Sequence, residues 1–142
     1  MRTSAETALA SSLRLAVMRL ARRMRSERAE SSLTLSQIAA LATLERHGPL
    51  TPRELAAHER VQPPSMTRIC AALEAAGLLT RTDHPSDGRQ VLLAVSAEGA
   101  ALLREDRRRR EAWLAQRLGE LPAEDLAVLG RAAKILDRLA AT

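Results

Sequence analysis

The 142-residue chain has no Phe and no Tyr, and Trp113 is its one large aromatic side chain. A core built from it must therefore be aliphatic, and a ligand pocket lined by stacking rings is not available, although an aliphatic cavity is. One cysteine, Cys70, excludes an internal disulfide framework and any cysteine-based zinc site. His47, His58 and His84 are scattered without clustered cysteines or acids, so no metal ion is expected. There is no glycine-rich phosphate loop, no nucleophile elbow and no His-Glu-x-x-His, and no carboxylate has an obvious acid–base partner. Neither an enzyme nor a cofactor is expected. No apolar run approaches the roughly 20 residues that span a bilayer. Arg14, Arg19, Arg22 and Arg23 punctuate the N-terminal stretch, unlike a secretory signal. These absences predict a soluble, cytoplasmic protein with no membrane partner.

What is present is aliphatic and basic. Hydrophobic residues make up 46% and charged residues 27%, a globular composition, and the formal charge is +5. A positive balance of that size favours polyanionic partners without establishing one.

The pattern of apolar residues is mostly helical. A first amphipathic helix over about Thr7 to Arg28 carries Leu9, Leu13, Ala16, Val17, Leu20 and Met24 on one stripe. A second opens with the capping box Thr34-x-x-Gln37, has Leu35, Ile38, Leu41 and Leu44 as its apolar face, and stops at Gly48-Pro49. A short third helix begins at Thr51-Pro52-Arg53-Glu54, with Leu50 and Leu55 placed to staple across the cap, and ends near Glu59. After a tight turn, Pro63-Pro64 starts a fourth helix that runs to Gly77.

Two strands follow, Leu78 to Thr82 and Gln90 to Val95, the second with Val91, Leu93 and Val95 on one face. They are separated by the turn-rich loop Asp83 to Arg89. Ser96 can cap a long helix to about Leu118 that includes Leu102, Leu103, Trp113 and Leu114. Pro122, Glu124 and Asp125 open a last helix striped by Leu126, Leu129, Ala133, Leu136 and Leu139. Helix, turn, helix and hairpin in that order make a winged helix-turn-helix. The expected fold is thus mainly α with a small β-hairpin, a winged helix-turn-helix flanked by amphipathic helices.

On the fourth helix, Met66, Ile69, Cys70 and Leu73 share one face, and Pro64, Thr67, Arg68, Ala71 and Ala75 share the other. Small residues, a hydroxyl and an arginine suit close approach to base edges in the major groove, and main-chain N–H groups near Ser65 suit a phosphate. The same face also suits an ordinary solvated helix. In the loop, Asp87 stands two residues before Arg89 and can hold its guanidinium in one direction. An arginine so held on a protruding ribbon fits a narrow minor groove, and the pair also fits a turn-stabilising salt bridge. Cys70, on the core-facing side, is expected to pack rather than react. Arg107 to Arg110 are expected on a solvated surface, paired with Glu105, Asp106 and Glu111.

The stretch "LTPRELAAHERVQPPSMTRICAALEAAGLLTR" resembles the helix-turn-helix of the MarR (multiple antibiotic resistance regulator) family. The following "HPSDGRQVLLAVSAEG" resembles that family's wing, a Pro-x-Asp-x-Arg tip leading into a strand and the next helix. The flanking helices match in number and order. The resemblance implies that Pro64, Ser65, Thr67 and Arg68 lie in or beside the major groove of double-stranded DNA. It implies also that Asp87 orients Arg89 and that Arg89 enters the minor groove. Many members carry Asp before the wing proline and Arg where Gly88 stands. Here the former position is His84, a third wing candidate, so the wing has fewer charges.

By the same resemblance, residues 1–33 and 97–142 supply dimerisation helices around a DNA-binding lobe at 34–96, within one compact domain. The homodimer would bury Leu9, Leu13, Val17, Leu20, Leu118, Leu126, Leu129, Leu136 and Leu139 against a second copy. Two recognition helices would then meet half-sites about 34 Å apart on a pseudo-palindrome. The function implied is a transcriptional regulator, a repressor, whose partners are operator DNA, its own second copy and a small-molecule effector. That effector would bind between the two lobes and alter the spacing of the recognition helices. The alternative is a winged-helix protein–protein adaptor that does not read DNA sequence, and salt-dependent binding to duplex DNA separates the two.

Overall fold

A computed structural model describes residues 1–27 and 33–141. Its elements run α1 (Ser4–Ser26), α2 (Leu35–His47), α3 (Pro52–Glu59), α4 (Pro63–Ala75), β1 (Leu79–Asp83), β2 (Val91–Val95), α5 (Ala97–Leu118) and α6 (Ala123–Ala140). Three helix starts are closed by reciprocal capping boxes, Thr3 with Glu6, Thr34 with Gln37 and Thr51 with Glu54. In each, the threonine hydroxyl accepts a main-chain N–H three residues on, and the Glu or Gln side chain accepts the threonine's own N–H. The box at Thr3 starts α1 earlier than its apolar stripe suggests, while Arg28, the expected end of that helix, lies outside the described residues.

The chain forms two units. One holds α2 to β2 with α5 as far as Arg107, and the other holds α1, α6 and the rest of α5. In the first, Leu41, Leu44, Leu55, Met66, Leu73, Leu93 and Leu103 are completely enclosed. Each such side chain withdraws enough apolar surface to contribute about 1.5–3 kcal/mol. Ile38, Ile69, Val91 and Val95 pack on this core half-buried. Leu35 does not join it and is exposed. It precedes Leu41 by six residues, which places it about 120° round the helix and away from the face formed by Ala40, Leu41 and Leu44.

β1 and β2 pair antiparallel with Leu79 opposite Val95 and Asp83 opposite Val91. Leu50 adds a one-residue third rung. Its N–H donates to the Leu93 carbonyl at 3.1 Å and its carbonyl accepts the Leu93 N–H at 2.8 Å. The start of α3 is thereby tied to the wing. At the other end of the hairpin, the Ser96 hydroxyl donates to the Gly77 carbonyl at 2.6 Å and accepts the Gly99 N–H at 3.0 Å, capping α5.

Between α3 and α4 the chain turns at Arg60, whose left-handed backbone (φ 54°) is adopted there by a non-glycine residue. Its N–H returns to the carbonyls of Ala56 and Ala57 and ends α3. The Thr43 hydroxyl, buried in α2, donates to the Glu59 carboxylate at 2.8 Å and holds the last turn of α3. Arg107 reaches Glu45 of α2 at 2.5 Å, and Asp106 is buried. Arg107 is thus exposed and ion-paired, and its partner Glu45 lies on α2, beyond the neighbouring acids of α5.

In the other unit, α1 and α6 bury no residue at all. Arg23 and Arg117 lie over the Trp113 ring, 4.9 and 5.7 Å from its centre. No described helix is long and apolar enough to cross a membrane.

Candidate nucleic-acid interface

The two faces of α4 separate cleanly. Met66, Cys70 and Leu73 are buried and Ile69 packs half-buried beside them, whereas Pro64, Thr67, Arg68, Ala71 and Ala75 are exposed and Ser65 is half-exposed. Burial pushes the Cys70 thiol above its ordinary range, which keeps it protonated and unreactive.

The N-terminus of α4 offers less than expected. Gln62 makes no side-chain cap, Pro63 and Pro64 have no N–H, and the Met66 N–H is taken by the Gln62 carbonyl. Ser65 therefore holds the one main-chain N–H of this first turn that can meet a phosphate. The Thr67 hydroxyl donates to the Pro63 carbonyl at 3.0 Å, so toward solvent it presents lone pairs and a methyl group. Arg68 has no protein partner among the described residues and presents donors only. Adjacent exposed side chains on one helix thus carry opposite hydrogen-bonding character, suited to different base edges.

The wing tip is held by its own side chains. The His84 imidazole accepts the N–H groups of Ser86 and Asp87 through Nδ1, both at 3.2 Å. In the neutral ring this puts the proton on Nε2. His84 thus closes the turn at the wing tip. The His84 N–H donates to the Gln90 carbonyl and the Gln90 N–H to the Asp87 carbonyl, at 3.2 and 3.0 Å.

Asp87 organises the next turn. One carboxylate oxygen accepts the Arg89 main-chain N–H and the other the Gln90 side-chain amide, each at 3.1 Å. These bonds, the main-chain one foremost, hold the Asp87 carboxyl below the usual range. The Arg89 Nε lies 3.5 Å from the same carboxylate, and the Arg89 side chain is 94% exposed. Asp87 therefore holds Arg89 chiefly at its backbone, with the guanidinium contact secondary.

Three features were not visible in the residue order. Gln90 shares in closing the wing turn. On β1, Arg81 donates through Nε and Nη2 to Glu74 of α4, at 3.2 and 3.1 Å, bracing the hairpin against that helix. His47 and His58 stack with ring centres 4.3 Å apart, so two of the three scattered histidines meet. Among the described residues no group of three His, Cys, Asp or Glu could hold a metal ion.

The residues expected at a dimer interface are all in the unit formed by α1, α6 and the end of α5. Leu9 (64%) and Leu139 (61%) are the most exposed; Val17, Leu20, Leu126 and Leu129 are also exposed, while Leu13, Leu118 and Leu136 are half-buried.

Residues 33–91, from the start of α2 to the wing, match the MarR family model. The chain is 49% identical over 128 residues to an HTH-type transcriptional regulator of Mycobacterium bovis, covering 90% of each chain. It is 31% identical to the HTH-type transcriptional repressor MdtR of Bacillus subtilis, covering 83% of this chain and 79% of that one. The crystal structure of a Pseudomonas aeruginosa protein assigned as a transcriptional regulator superimposes with a TM-score of 0.87, at 33% identity and 98% coverage of both chains.

Proposed function

The chain belongs to the MarR family of helix-turn-helix transcriptional regulators, and from that membership we propose that it is a homodimeric repressor of a pseudo-palindromic operator. The recognition helix α4 meets the major groove with Pro64, Ser65, Thr67 and Arg68, and the wing carries Arg89 into the adjacent minor groove. The observation that carries the reading is the wing tip. A short hydrogen-bonded turn built by His84, Asp87 and Gln90 spends its polar groups on presenting one arginine, almost wholly free, to solvent. An arginine in that position has little packing role, and the negative potential of a narrow minor groove is what it fits.

Repression is supported by the 31%-identical B. subtilis relative, which is a repressor. The homodimer is supported by two helices that fully bury no residue in one chain, because apolar stripes of that extent are usually covered by a partner. A small-molecule effector releases the operator by favouring a spacing of the recognition helices that does not match the half-sites. It must discriminate between spacings, since equal affinity for both shifts nothing.

The test is a gel-shift titration against the DNA immediately upstream of the protein's own gene, with a scrambled duplex and two salt concentrations as controls. Tight binding with a large specific-to-scrambled ratio is expected. Weak, equal and salt-sensitive binding to both duplexes would contradict sequence reading at that operator, and no binding at either salt would favour the adaptor function.

A further inference from the structure

Beside the wing lies an open hollow of about 510 Å³, lined among others by Thr51, Arg53, Arg81, Arg89 and Gln90. Three of its lining side chains are guanidinium groups and none is a carboxylate. We propose that this hollow seats one backbone phosphate of the operator, with Arg53 as the residue that neutralises it. The proposal rests on the DNA-binding function above and adds a contact that neither the recognition helix nor the wing tip supplies.

The hollow is built rather than incidental. The Leu50–Leu93 rung fixes the start of α3 beside β2, and the Thr51–Glu54 capping box fixes its first turn. Arg53, in that turn, is thereby held on a rigid base facing the strands.

The three positive charges differ in how far they are already answered. Arg81 is bonded to Glu74, and Arg89 has Asp87 at 3.5 Å. Arg53 has no partner among the described residues, and the acid next to it in sequence, Glu54, is committed to the Thr51 N–H. Three guanidiniums around one hollow repel one another until an anion enters, and a phosphate oxygen pair matches the fork of an arginine. Arg89 belongs both to this rim and to the wing tip. A duplex whose minor groove receives the tip presents its flanking sugar–phosphate strand to the rim, and that strand carries the phosphates.

The experiment measures operator affinity against salt for the wild type, Arg53→Ala and Arg53→Lys, on specific and scrambled duplexes. It is followed by a scan with a single neutral methylphosphonate along the operator backbone. Arg53→Ala should flatten the slope of log K against log salt by about 0.9 per subunit, the release of one phosphate's counterions. It should weaken both duplexes by the same factor, and Arg53→Lys should keep the wild-type slope. One methylphosphonate position should weaken the wild type and leave Arg53→Ala unaffected.

An unchanged slope in Arg53→Ala, or an equal methylphosphonate penalty in both proteins, would overturn the site while leaving specific binding intact. Absence of DNA binding by the wild type would remove the function and the site together. Arg53-dependent binding of inorganic phosphate to the free protein, with no change of slope on DNA, would assign the hollow to a free anion and overturn the backbone contact.

Discussion

Arg89 bears most of its consequence through what it does not touch. Its side chain is 94% exposed, so Arg89→Ala removes no packing and should leave folding and assembly unchanged. Operator affinity should fall severalfold or more, read by gel shift beside a sedimentation measurement that shows the same oligomer. Unchanged affinity would remove Arg89 from the interface.

Two acids at this scale make an acid-sensitive pair. Hydrogen bonds from Thr51 hold the Glu54 carboxyl below its ordinary range, and the bonds to Arg89 and Gln90 do the same for Asp87. A carboxyl depressed on folding stabilises the native state above its unfolded pKa, about 4, and loses that contribution as the pH falls through the lower folded value. Stability from both groups should therefore be flat from about pH 5 to 7 and decline below about pH 4. Glu54→Gln can still accept the Thr51 N–H, so it should keep the cap and make the acid decline shallower in denaturant melts at stepped pH. An identical decline in the variant would show that Glu54 takes no part in it.

Among the elements, α5 depends on one small residue. A methyl group on Gly99 would stand 2.3 Å from the Leu78 carbonyl oxygen and 3.0 Å from the Val95 side chain. The first is backbone and cannot turn aside, so Gly99→Ala should cost about 1–3 kcal/mol in a urea melt, or more if the hairpin shifts. A neutral result would mean that α5 can slide away from β1 without loss.

The elements also show what could be read from residue order. Capping boxes, a Pro–Pro helix start and a change of period at Gly77 are local signals, and they place α2 to β2 within a residue or two. The box at Thr3-x-x-Glu6 is an equally local signal, but the apolar stripe begins later and does not mark it. Leu35 was misplaced for a related reason, since it is apolar and near the stripe but not on it. The Leu50–Leu93 rung, the Arg107–Glu45 bond and the His47–His58 stack join residues far apart in sequence, and no periodicity encodes them. The hollow at Arg53 follows from the first of these, so it too was hidden. At the wing, the composition of the tip was legible, but the division of labour between His84 and Asp87 needed their hydrogen bonds.

For the whole molecule, the apolar stripes of α1 and α6 decide the assembly. Among the described residues neither helix fully buries a side chain, yet each bears a leucine-rich stripe. In the proposed homodimer a second copy would supply an equal and complementary surface. Leu129→Arg on α6 places a charge in that stripe and should shift sedimentation from dimer toward monomer, with operator affinity falling because one half-site is lost. A variant that sediments as the wild type does would place the dimer contact elsewhere.

In the proposed function, two copies of α4 and the wing read one face of a duplex. Hydroxyl-radical footprinting of the wild type on its upstream DNA tests this most directly. The expected result is two protected half-sites about 10 base pairs apart, centre to centre and related by a dyad, each flanked by minor-groove protection that disappears with Arg89→Ala. A single half-site, or uniform protection that follows no sequence, would contradict it.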